Sequence, residues 1–172
     1  MIARIEKTLL TGCCLWAVTA GCLLSQEEPA AVGGSEQTMT QEASGTFEVR
    51  MSPLESYNQA EGAALGRMSI DKEFHGDLEA TSQGEMLSAG APQAGSAGYV
   101  AIERVTGTLG GRQGSFVLQH SATMHSGASE MTVTVVPSSS TGELEGLTGS
   151  MTIIIKDGQH FYEFEYTLAG ES

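Results

Sequence analysis

Between residues 45 and 168 apolar and polar side chains alternate with a period of two, and that alternation leaves room for little except β-strands. Met68, Ile70 and Phe74 alternate with Ser69, Asp71, Glu73 and His75, the pattern of a strand with one buried face. The same reading predicts strands over 46–51, 77–89, 99–109, 114–124, 129–136, 147–156 and 160–168, eight in all with the one around Ile70. Their connections carry glycine or proline: Gly110-Gly111, Ser126-Gly127, the run 137–142, and Asp157-Gly158, a strong two-residue hairpin signal. The chain has 22 Gly in 172 residues, about twice the usual share, which suits many tight turns. Two longer excursions, 52–66 and 88–97, are expected to be rim loops. No stretch of helical period follows residue 44, and there is no internal repeat. Eight sequential strands joined by hairpins suit a barrel or a sandwich. Closure favours an all-β, eight-stranded antiparallel up-and-down barrel, because it removes the exposed edges that invite aggregation. About 120 residues suffice for a core, and such a barrel is either filled by side chains or holds one small ligand.

The chain ahead of the barrel carries an address. Residues 1–21 combine Arg4 and Lys7 with the apolar stretch 8–20 (TLLTGCCLWAVTA), which has the length of an export signal and is too short for a stable span. Thr19-Ala20-Gly21-Cys22 is similar to a bacterial lipobox, in which the cysteine is diacylated and becomes the new N-terminus. Lipidation at Cys22 would supply the two acyl chains that stable membrane anchoring needs. Leu10-Thr11-Gly12-Cys13 has better lipobox letters but would leave too short an apolar stretch before it. Cleavage after Ala20, giving a soluble secreted or periplasmic protein, is the rival, and a start codon assigned too far upstream of a cytoplasmic domain is a third reading. Residues 22–44 hold four Glu in 25–44 with no Lys or Arg and almost nothing able to form a core, the composition of a flexible acidic tether. The expected organisation is therefore signal 1–21, tether 22–44 and barrel 45–169.

Charge and cysteine usage exclude several classes. With 8 Lys+Arg against 21 Asp+Glu the net charge is −13, which argues against a nucleic-acid partner, since neutralising phosphates needs a basic face. All 3 Cys lie within the first 22 positions, so the barrel has neither disulfides nor thiolate chemistry.

Several motifs resemble a known family. The run 103–112 (ERVTGTLGGR), followed by 114–120 (GSFVLQH), is similar to a bacterial family of uncharacterised domains with an allene-oxide-cyclase-like barrel fold. The similarity continues through 74–79 (FHGDLE), Val135-Val136-Pro137 and the glycine-punctuated segment 141–149. More distantly, the glycine-rich turn and aromatic last strand resemble plant allene oxide cyclase and dirigent proteins. The resemblance implies an eight-stranded antiparallel barrel and brings no agreed reaction or ligand with it.

Candidate chemistry is sparse. Glu103, Arg104 and His120 lie on two strands joined by the Gly110-Gly111 hairpin, close enough to meet if they share a face. Glu103 and Arg104 are consecutive, so one must point inward and the other outward. A histidine beside a buried carboxylate could serve as a general base or orient a polar ligand, and equally could serve only the fold. Phe47-Glu48-Val49-Arg50 with Ser52-Pro53 resembles the first strand of allene oxide cyclase, where the matching glutamate steers a cyclisation. Arg50 stands where that family has asparagine, and Glu48 would otherwise be an outward, solvated residue. Tyr162, Phe164 and Tyr166 share one face of the last strand, as a core stripe or as the lining of an apolar cavity. The four His show no convergent metal spacing, the glycines precede no helix that would make a phosphate loop, and no serine sits in a nucleophile elbow. The expectation is no cofactor and no metal. Two functions stand: a membrane-tethered module that binds a small apolar molecule or a protein partner, and a cofactor-free isomerase or cyclase working in a dry cavity. Outward apolar residues such as Val100 and Ile102 could also join copies of the chain into a homo-oligomer.

Overall fold

Alternation along the chain becomes alternation across a closed wall. The computed structural model describes residues 39–58, 64–91 and 94–169. Its strands are β1 (Gln41–Leu54), β2 (Ala64–Gly76), β3 (Leu78–Gly90), β4 (Ala97–Leu109), β5 (Arg112–His125), β6 (Ala128–Val135), β7 (Thr141–Gly142), β8 (Thr148–Lys156) and β9 (Gln159–Thr167). There is no helix among the described residues. Strands β1 to β6, β8 and β9 pair antiparallel in chain order, and β1 closes the ring on β9 from Gln41↔Tyr166 to Phe47↔His160. The expected eight-stranded up-and-down barrel is therefore present. One strand was not expected: β7 adds to β5 through Ser115↔Thr141 and Gly114↔Gly142. The seam between β6 and β8 is the weakest, with the single registered pair Thr134↔Ser150.

Strand β1 begins inside the segment 22–44 that composition marks as tether. Ala43 is small enough to pack in the core, and the Tyr166 hydroxyl donates to Gln41 Oε1 at 2.9 Å, so 41–44 gain a full ladder with β9. The rim loops are shorter than expected for the same reason: β3 and β4 stay paired out to Gly90↔Ala97. The signal 1–21, Cys22 and the rest of the tether up to residue 38 lie outside the described residues.

The two ends of the barrel are built differently. At one end the connections are tight and capped. The Ser44 N–H donates to Asp77 Oδ2 at 2.8 Å, the Asp77 N–H donates to the Ser44 carbonyl at 3.1 Å, and the Gly110 N–H donates to the Asp77 carbonyl at 3.0 Å. The Gly76 N–H donates to Glu79 Oε1 at 2.8 Å. The 74–79 motif thus serves the fold, tying three strand ends together. Gly110 and Gly111 make their turn with φ of 56° and 85°, a conformation that costs glycine nothing. Above these turns Phe116 stacks on Phe164 at 5.8 Å, Phe164 on Tyr166 at 5.3 Å, and Phe74 meets Tyr162 edge-on at 5.8 Å. Leu144 and Leu147, on the β7–β8 connection, are fully buried and belong to the same core.

The other end carries the β1–β2, β3–β4, β5–β6 and β8–β9 connections. There the inward phase of the strands continues through Met51, Met68, Met86, Tyr99, Met124, Met131 and Ile155. Met51 is 53% exposed, Met124 45%, Met131 40% and Ile155 65%, so solvent enters the barrel from this end.

Candidate functional site

Between the aromatic end and the methionine end lies a buried polar layer. Glu103, on β4, is fully buried. Its Oε1 accepts from Lys72 Nζ at 2.6 Å and from His120 Nε2 at 2.7 Å, and its Oε2 accepts from Ser82 Oγ at 2.6 Å. Four strands supply the four side chains. The Lys72 ammonium also stands 5.0 Å from the Phe47 ring centroid and 5.7 Å from that of Phe74, where the ring faces help to offset its lost hydration. Gly84 pairs with Glu103 across β3 and β4, and a Cβ there would lie 2.6 Å from Glu103 Cβ and run into the Ile102 carbonyl. Glycine is what lets the two strands close over the charge.

Burial alone would push the Glu103 carboxyl up. The hydrogen bond from His120 and the positive charge of Lys72 outweigh it and hold the group down at about 2. At neutral pH Glu103 is therefore an anion with every oxygen engaged. A carboxylate of that basicity is a poor proton acceptor and has no proton to give. Burial, then the nearby Glu103 charge, pushes the Tyr99 phenol up.

Of the residues singled out by sequence, Glu103 and His120 meet inside the barrel. Arg104 points outward and donates through Nη2 to Ser115 Oγ at 2.7 Å. Ser115 is in turn 2.6 Å from Thr141 Oγ1, so this outward arginine braces β7 against β5. Glu48 is exposed on the outer wall. Tyr162 and Tyr166 are buried in the aromatic core: Tyr162 Oη accepts from the Leu78 N–H at 2.9 Å, and Tyr166 is spent on Gln41. Lys72 and Ser82 escaped sequence reading. Lys72 lies between Asp71 and Glu73 and resembles a surface charge run, but it shares the phase of Ile70 and Phe74, which was the signal available.

A concavity lies on the outer wall of the barrel. A groove of about 760 Å³ crosses the outward faces of β2 to β5 beside the start of the β1–β2 connection. Its walls are Leu65, Leu87, Val100 and Ile102, all exposed, with Tyr57 at the edge. Arg67 crosses it, with Nε and Nη2 donating to Glu85 Oε2 at 2.9 and 2.7 Å. Among the described residues no three His, Cys, Asp or Glu side chains are placed to hold a metal ion.

Comparison with known proteins places this barrel. The family model described as "Protein of unknown function (DUF3224)" matches residues 43–166, nearly the whole barrel. The chain belongs to the DUF3224 family. A crystal structure of a DUF3224 protein of unknown function from Shewanella oneidensis is 51% identical, with a TM-score of 0.74. The match covers 77% of this chain and 100% of that one. A search of curated proteins found no match. The Shewanella chain is matched over its whole length by a part of this one.

Proposed function

We propose that this DUF3224 protein is a non-catalytic binding module that takes one small apolar molecule into the groove on the outside of β2–β5. The observation that carries this reading is the groove itself. Its volume of about 760 Å³ falls within the range of small-ligand sites, and its walls are apolar with one charged pair to orient a polar group. Inside the barrel, the aromatic end is filled and the polar layer around Glu103 is closed on itself. A cyclase of the allene oxide cyclase kind, the alternative, needs a carboxylate facing an inner cavity; Glu48 faces outward, and Glu103 is bound on both oxygens. We extend the proposal to an exported protein anchored by acyl chains on Cys22, a reading supported by the residues of the signal alone.

The test is native mass spectrometry of gently purified protein, followed by titration with a fluorescent fatty-acyl probe. A bound apolar molecule of a few hundred daltons, and at least tenfold weaker probe binding in Leu87→Asp, are expected. Unchanged probe binding in Leu87→Asp would overturn the groove as the site. A dimer that Ile102→Asp dissociates would instead make this face a contact between copies. Anchoring is checked by palmitate labelling in a bacterial host, which Cys22→Ala should abolish.

A further inference from the structure

The two exposed apolar surfaces differ in one respect that general hydrophobicity does not explain. The outer groove uses Leu65, Leu87, Val100 and Ile102 and contains no methionine. The inner lining of the open end contains Met51, Met68, Met86, Met124 and Met131, five of the eight methionines in the chain. If apolar surface were all that the open end required, leucine or valine would serve there as they do outside. Thioethers add something those side chains lack, a soft lone pair on a flexible arm.

Register places three of the five together. Met68 and Met86 are direct partners across β2 and β3. Directly opposed residues on one face have Cβ atoms about 4.5–5.5 Å apart. Met51 pairs with Ile70, so it lies diagonally from Met68 on the same inward face. The inner face of a closed barrel is concave, so inward side chains at neighbouring positions lean toward the same space. Met131 is engaged separately, its sulfur accepting from the Tyr99 hydroxyl at 3.2 Å. Among the described residues no group of three His, Cys, Asp or Glu could compete as a hard site for a metal ion.

We propose that Met51, Met68 and Met86 form a thioether site for a soft monovalent cation, Cu(I), at the open end of the barrel. The donor set selects the ion, since thioethers favour Cu(I), whereas hard divalent cations take oxygen ligands. Binding is coordination only, with no change of oxidation state. A thioether does not protonate in the ordinary range, so affinity stays level between pH 7 and 5, where a histidine site would weaken. The inference is independent of the outer groove.

The 3 cysteines, Cys13, Cys14 and Cys22, all precede the barrel, so the test uses the full chain with Cys13→Ser, Cys14→Ser and Cys22→Ser, which keeps thiols out of it. With the methionine methyls labelled with carbon-13, the protein is titrated with Ag(I), a redox-inert counterpart of Cu(I), in chloride-free buffer. One equivalent should shift the methyl signals of Met51, Met68 and Met86 and leave those of Met39 and Met151 in place. The Met68→Leu/Met86→Leu variant keeps the apolar lining, so it should retain the wild-type position of the Met151 methyl while binding Ag(I) at least tenfold more weakly. Equal shifts at Met39, unshifted Met68 and Met86, undiminished binding by the folded double variant, or affinity that collapses between pH 7 and 5 would each overturn the proposal.

Discussion

The two ends of this barrel are lined by the same inward phase of the same strands, yet one is sealed and the other open. At the sealed end Phe74, Phe116, Tyr162 and Phe164 are at most 1% exposed, and the phenol of Tyr162 is tied to the Leu78 backbone. At the open end the inward residues are methionines that solvent reaches. The difference lies in the connections. Asp77 and the Gly110-Gly111 turn draw the strand ends together and Leu144 and Leu147 fill the space between them, whereas longer connections join β1 to β2 and β3 to β4 at the other end. Inward phase makes a residue available for burial; closure of that end decides whether it is buried.

The largest expected effect tests that division directly. Phe164→Ala should destabilise the barrel by about 3–5 kcal/mol in urea unfolding, because it removes a ring from a core that cannot collapse around the gap. Met131→Ala should cost only about 1 kcal/mol, since its side chain is already 40% exposed and has less burial to lose. Equal losses at the two positions would show that the open end is packed as tightly as the sealed one.

The polar layer between the ends was partly legible in the sequence, and the reason is register. The Gly110-Gly111 turn fixes Leu109↔Arg112, which carries Glu103 opposite Leu118 and puts His120 one diagonal away on the same face. A short turn therefore made Glu103 and His120 neighbours on paper. Lys72 and Ser82 reach the same carboxylate from β2 and β3, whose register against β4 depends on the longer β3–β4 connection, which no local pattern encodes. The barrel was legible for a similar reason, since period-two alternation and turn glycines are local. The groove was not, because its four apolar walls come from three strands.

Next in size is the charge in that layer. Glu103→Gln should cost about 3 kcal/mol at pH 7 by leaving the Lys72 ammonium buried without its counter-charge. Adding Lys72→Met should recover most of the loss, because it removes the unpaired cation while the glutamine amide oxygen still accepts from His120 and its NH2 donates to the Ser82 hydroxyl oxygen. The wild type has its own pH signature. The Glu103 carboxyl lies at about 2 in the folded protein against 4.5 as reference, so in that interval the unfolded chain binds more protons than the folded one. Stability is complete above about pH 5 and falls as pH drops toward 2, by on the order of 3 kcal/mol from this group. Urea unfolding from pH 6 to 2 should show that slope in the wild type and a flatter one in Glu103→Gln. Parallel curves would mean that the carboxylate is not the group that responds to acid.

The smallest effect belongs to the outer wall. Arg67 and Glu85 form a two-pronged contact across the groove, but their side chains are 41% and 55% exposed. Water screens such a pair, and holding two long side chains in place costs entropy, so Arg67→Ala should lower stability by only about 0.2–1 kcal/mol, and by less in 1 M salt. That small cost separates this charged pair from the one around Glu103, where water is excluded and the partners cannot be solvated. It also makes Arg67→Ala a clean probe of the groove: unfolding should change little, while binding of a carboxylate-headed acyl probe weakens more than binding of an uncharged one of equal length. Equal weakening of the two probes would show that the arginine shapes the apolar wall through its aliphatic stem and does not read the ligand's charge.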